Sequence, residues 1–240
     1  MFNSTVRSLR CLPVLAASVV LLTGCGVAGT EFHPGIAAQV GDDTITTKHV
    51  DQVTADFCAA AEEDSKDQSG RVPQPMRTLT QRFTVVLVTQ AVAEQLADDY
   101  DVEPTSSYNS YVANLRTQLV KLDDDQRDAA VEILGAQTYV QDVLTTIGGK
   151  ELAEQDNTSA SDDEKFAAGQ DVLTKWIADH DVEVNPKYGI DFATGAPIDT
   201  DLSYALGETA QGGVSQEPSA GYAAGLPELQ TCLLPPSSAA

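Results

Sequence analysis

The stretch Ala37-Ala38-Gln39-Val40-Gly41-Asp42-Asp43-Thr44-Ile45-Thr46-Thr47, with the apolar spacing that follows it, decides the fold class. Short β-type segments flank a Gly-Asp turn, the pattern of a small hairpin. Thr46 or Thr47 then offers a side-chain oxygen to the open N–H groups of a helix start. Val50, Val53, Thr54, Phe57, Cys58 and Ala61 recur at helical spacing, which predicts an amphipathic helix with Cys58 on its apolar face.

Toward the C-terminus, residues 62–75 contain Ser, Gly and two prolines and read as a loop. Met76, Leu79, Phe83, Val86, Leu87 and Ala91 form one face of a long helix running to about Asp99. After Pro104, a second stripe comprises Tyr108, Tyr111, Val112, Leu115, Leu119 and Leu122. Asp123-Asp124-Asp125 has the acidity of a calcium loop but neither its alternating ligand spacing nor its closing Glu. Acids at this point favour a helix N-terminus through the macrodipole. The helix they open carries Ala130, Ile133, Leu134, Val140, Leu144 and Ile147 and is expected to stop at Gly148-Gly149. A last helix opens near Ser161 or Asp162 and carries Phe166, Leu173, Trp176, Ile177 and His180. His180 on that face reads as a core or boundary residue rather than a ligand.

Val182-Glu183-Val184 alternates like a strand and runs into the turn Asn185-Pro186-Lys187-Tyr188-Gly189. Residues 190–240 are rich in Gly, Ala, Ser and Pro, and Leu202, Tyr204 and Leu206 are their only alternating apolar set. One short strand and otherwise an extended tail are expected there. The expectation is a mainly α protein with a small N-terminal β-hairpin, about five amphipathic helices, short C-terminal strands and an irregular tail.

At the other end, Arg7 and Arg10 precede the apolar run Leu12 to Leu22, which leads into Thr23-Gly24-Cys25. This is the order of a secretory signal peptide, and the run falls short of the roughly 20 apolar residues needed to span a membrane. Leu22-Thr23-Gly24-Cys25 resembles a bacterial lipobox, which implies cleavage before Cys25 and lipidation of its thiol and amino group with palmitate-type chains. The alternative is ordinary signal cleavage with Cys25 incidental. Two or three acyl chains anchor stably where a single one does not. The expected layout is a signal peptide at 1–24, a lipidated tether at 25–34, a helical domain at 35–206 and a tail at 207–240.

The whole chain has 240 residues, 36 acidic and 14 basic, and a net charge of -22. Without residues 1–24 the net charge becomes -24, because that segment carries two arginines and no acid. Neutralising phosphates needs clustered Lys and Arg, so no nucleic-acid partner is expected. Anionic lipid also repels such a body, so the lipid on Cys25 would have to hold it at the membrane. The acidic surface reads either as attraction for basic clients or as plain solubility. Histidines 33, 49 and 180 are scattered, and the four cysteines form no CxxC, so a structural zinc site and a His-centred triad are poorly supplied. No glycine-rich phosphate loop or GxSxG elbow occurs, and no cofactor or metal is expected. With Cys11 removed and Cys25 lipidated, Cys58 and Cys232 remain. In an oxidising compartment they read as one disulfide, the alternative being a buried free Cys58 and a stray Cys232.

The segment Val40-Gly41-Asp42-Asp43-Thr44-Ile45-Thr46 is similar to the Val-Asn-Gly-x-x-Ile-Thr opening of the SurA, PrsA and trigger-factor type N-terminal chaperone domain. The expected Asn is absent, since Val40 is followed directly by Gly41. Val182 to Gly189 resembles the strand and "NPRYG" ending of actinobacterial members. Together these cover about residues 35–206. The resemblance implies a membrane-anchored lipoprotein that binds unfolded or exported polypeptides. Many members carry an inserted parvulin prolyl-isomerase domain; nothing here resembles it, so no catalysis is expected. Phe83, Tyr108 and Tyr111 are the candidate peptide-binding side chains, to be weighed against plain core packing. The alternative function is an envelope lipoprotein that scaffolds one specific protein partner.

Overall fold

In the computed structural model the described residues are 34–192, 207, 211–212 and 218–235. Residues 1–24, read above as a signal peptide, together with Cys25, His33 and the alternating set Leu202, Tyr204 and Leu206, lie outside them. The hairpin forms as expected: β1 (Ile36–Val40) pairs antiparallel with β2 (Asp43–Thr46), placing Val40 opposite Asp43 and Gln39 opposite Thr44. Gly41 makes the turn at φ 53°, in the left-handed region. A Cβ there would meet Gln95 Oε1 at 2.7 Å, so a side chain at this position would also push the Gln95 amide aside. The Gln95 amide uses that closeness, donating to the Val40 carbonyl at 2.5 Å and to Asp43 Oδ2 at 2.8 Å.

Thr46 caps α1 (Thr47–Asp64), its hydroxyl accepting from His49 N at 3.1 Å. Val50, Val53, Thr54, Cys58 and Ala60 are the buried positions of that helix. Residues 62–75 are not simply a loop. Helix α1 continues through 64, and Val72–Pro75 form β3, antiparallel to β5 (Thr231–Leu234). Pro73 and Pro75 lack N–H donors at alternate positions, so both gaps fall on the same edge and β3 can pair on one side only. The two prolines that suggested a loop are those of a strand with one partner.

Helix α2 (Met76–Asp99) runs as expected and buries Leu79, Phe83, Leu87, Val88, Val92 and Leu96. Lys150 caps its far end, donating to the carbonyls of Tyr100 and Asp101 at 2.8 and 3.0 Å. Thr105 begins α3 (Ser106–Gln118) and ties it to Asp142 of the following helix, with its backbone N–H at 2.8 Å and its hydroxyl at 2.5 Å. Helix α4 (Asp124–Glu154) starts at the acidic triplet, where Asp123 caps by accepting from Gln126 N. It does not stop at Gly148-Gly149. Gly148 instead faces α5 (Asp162–Asp179), where a Cβ would collide with the backbone carbonyl of Lys165; a Cβ on Gly169 would likewise collide with that of Leu144. These two glycines let the helix backbones touch.

Ser161 and Glu164 close a capping box at the start of α5. Strand β4 (Val182–Val184) follows and returns to β1, so the sheet order is β2-β1-β4. The N-terminal hairpin and Val182–Val184, far apart in sequence, therefore meet in one three-stranded sheet. The Asn185 amide donates to the Ile36 carbonyl, and Gln81 reaches the Tyr188 carbonyl, fastening that sheet to α2. The last described segment is not wholly an irregular tail: it contains a short helix (Ala220–Ala224) and β5. Among the described residues no helix is long and apolar enough to cross a membrane.

Candidate functional site

Helix α2 is apolar on more than one face, because Val85-Val86-Leu87-Val88 place four consecutive apolar side chains around the axis. Leu87 and Val88 turn into the core, while Val85 and Val86 are half-buried. Helix α5, drawn onto α4 by the glycine contact, touches α2 only lightly. A trough results, walled by α2 and α5.

One hollow, about 470 Å³, lies between Val85, Val86 and Thr89 of α2, Ala136, Gln137, Val140 and Gln141 of α4, and Phe166 of α5. A second, about 380 Å³, adjoins it and is bounded by Val85, Thr89, Val92, Leu173, Ile177, Ile190 and Phe192. Val85 and Thr89 line both. Each falls in the size range of ligand clefts, and each has apolar walls with a few polar groups. None of these lining side chains carries a formal charge, in a chain whose net charge is -22.

The structure does not bring the three sequence-chosen aromatics together. Phe83 is 7% exposed and packs edge-on against Phe57, with ring centroids 4.7 Å apart, so it belongs to the core. Tyr108 is half-buried against Tyr139 at 5.3 Å. Tyr111 is 38% exposed and donates to the Leu134 carbonyl. Burial, followed by Glu94 and Asp142, raises the Tyr108 hydroxyl above its ordinary range. Burial also pushes Tyr139 up to about 12, with smaller contributions from Glu94, Tyr108, Asp98 and Asp142. Both phenols are neutral near pH 7 and unsuited to act as bases there. The trough residues Val86, Val140, Phe166, Leu173 and Ile177 were legible as apolar faces, but spacing alone could not separate groove wall from core.

The two described histidines make structural contacts. His49 Nε2 lies 2.8 Å from Glu132 Oε1, linking α1 to α4. His180 stacks on Trp176 with ring centroids 3.9 Å apart, and its Nδ1 lies 2.8 Å from the Trp176 carbonyl oxygen. Trp176 in turn donates to Asp99 Oδ2 at 2.8 Å, joining α5 to the end of α2.

Cys58 and Cys232 lie at disulfide distance, with Cα atoms 5.7 Å apart and a sequence separation of 174. Cys232 is fully buried and stands opposite Gln74 in the β3–β5 ladder. Comparison with protein-family models, curated proteins and solved structures finds no match.

Proposed function

We propose that this chain is an extracytoplasmic lipoprotein, tethered through lipid on Cys25, that holds apolar segments of unfolded or exported polypeptides without catalysing a reaction on them. The observation that carries the reading is the uncharged trough along α2, made of two neighbouring hollows that Val85 and Thr89 both line. A client segment laid there would bury its apolar side chains against Val140, Phe166 and Leu173. Any binding energy would come chiefly from that burial, about 25 cal/mol per Å² of apolar surface. The acidic body would collect basic clients and keep the loaded complex soluble. The meeting of the hairpin strands with Val182–Val184 in one sheet supports the likeness to the SurA and trigger-factor type chaperone domain.

The test uses a soluble form, residues 26–240, with a chemically unfolded client. At near-stoichiometric ratio it is expected to suppress light scattering. Val85→Glu puts a charge on the wall shared by both hollows and is expected to abolish suppression while leaving the helical circular dichroism unchanged. The slow cis/trans phase of an X-Pro peptide, tens to hundreds of seconds uncatalysed, is expected to stay unaccelerated. Equal suppression by wild type and Val85→Glu would reject the trough as the holding surface. No suppression of any client, with one protein recovered by crosslinking in the envelope, would favour the single-partner scaffold.

A further inference from the structure

Beside the cysteine pair stands a carboxylate that a disulfide does not need. Cys58 and Glu62 are four residues apart on α1, so helical spacing places thiol and carboxylate on one face. Strand β5 brings Cys232 to the same point, and the three donor atoms lie within 4.8 Å of one another. Glu62 Oε1 is 3.7 Å from Cys58 Sγ and accepts the backbone N–H of Leu233, the residue after Cys232, at 2.9 Å. Both sulfurs are buried, whereas Glu62 is half-buried. The carboxylate is therefore oriented by β5 and is the most accessible member of the cluster.

We propose that the reduced pair is a metal site, in which the Cys58 and Cys232 thiolates and the Glu62 carboxylate bind one Zn²⁺. Tetrahedral zinc takes sulfur at about 2.3 Å and carboxylate oxygen at about 2.0–2.2 Å, so its ligand atoms sit roughly 3.5 Å apart. The Glu62–Cys58 separation of 3.7 Å is already close to that edge, Cys232 Sγ lies within 4.8 Å of the same carboxylate, and the two bonded sulfurs must part. Soft thiolates favour zinc over the hard oxygen-seeking cations, and three protein ligands leave a fourth position for water. In chemical balance, a phosphine reductant transfers two electrons to the disulfide, which takes up two protons to give two thiols, and the phosphine leaves as its oxide with oxygen from water. Zinc binding then releases both thiol protons. Disulfide and zinc exclude each other, and each fastens β5 to α1: a covalent bond when oxidised, an ion when reduced.

The experiment takes the full chain in detergent, reduces it with phosphine, removes the reductant without air and titrates with Co²⁺ as the optical probe. Expected are one equivalent bound, thiolate-to-cobalt charge-transfer absorption, and its displacement by Zn²⁺. Unreduced protein and Cys58→Ser are expected to lack the band. Glu62→Gln, checked for unchanged helical circular dichroism, is expected to weaken zinc at least tenfold. Should reduction alone unfold the chain, Zn²⁺ is expected to restore its helix signal. No thiolate–cobalt band, zinc binding by Glu62→Gln as tight as wild type, or failure of zinc to rescue a reduced unfolded chain would each overturn the proposal.

Discussion

Gly148 and Gly169 show how much a single hydrogen atom in place of a methyl can matter. In a helix interior Gly→Ala ordinarily gains about 1 kcal/mol from propensity. At these two positions the new Cβ would enter a backbone carbonyl on the neighbouring helix, which cannot rotate away as a side chain could. Gly148→Ala and Gly169→Ala are therefore each expected to lose about 2 kcal/mol or more, read as a lowered urea midpoint. Gly149→Ala is the control. Its Cβ would meet only the Lys165 side chain at 3.5 Å, an ordinary contact, so it is expected to be neutral or stabilising. A second prediction concerns Glu164, whose carboxyl is held below the ordinary range by the backbone and then the side chain of Ser161. Because the folded value is lowered, its contribution is fully present above the unfolded Glu pKa and is lost as pH falls through the folded value. Ser161→Ala keeps the backbone N–H and removes only the hydroxyl, so NMR titration is expected to show the Glu164 pKa moved part of the way up to its ordinary value, and the urea midpoint at neutral pH to fall.

At the scale of elements, the β3–β5 pair shows how a peripheral sheet is kept. Two strands alone are marginal in water, and the prolines of β3 bar a third strand from adding to its outer edge. The Cys58–Cys232 link joins this pair to α1. Closing a loop at a sequence separation of 174 is worth about 5 kcal/mol on the chain-entropy argument, while disulfides typically deliver about 2–4 kcal/mol. Cys232→Ser is expected to lower stability by an amount in that range. It is also expected to speed amide exchange across residues 231–234 while the centres of α2 and α4 stay protected. Uniform loss of protection instead would mean that β5 and the helices unfold as one unit.

The whole molecule combines an uncharged trough with a strongly acidic exterior, and its proposed tether depends on one residue outside the described structure. Cys25→Ser is expected to abolish acyl-chain labelling and to move the protein from the membrane fraction, or to leave it as an uncleaved precursor. Unchanged labelling and fractionation would remove the lipoprotein reading. Client preference tests the charge at the same scale. Basic unfolded clients are expected to be held better than acidic ones at low salt, and the difference to shrink as ionic strength screens fields beyond about 8–10 Å. A preference that persisted in high salt would place selectivity in the trough rather than in the field.

The hairpin, the capped starts of α1, α4 and α5, and the strand at 182–184 were readable from local order, because turns, caps and apolar periods depend on neighbours along the chain. Gly148-Gly149 misled for the same reason: locally a glycine pair ends a helix, and only the arrival of α5 turns Gly148 into a contact. Likewise Pro73 and Pro75 suggest a loop until Thr231–Leu234 return from 156 to 162 residues away to pair with them. Phe83, Val85 and Phe166 look alike in a periodic pattern, yet Phe83 is core and the other two line the trough. By itself the sequence determined the elements and their apolar faces. Tertiary structure alone decided which faces met and which stayed open, because that depends on how closely two backbones can approach across long stretches of chain.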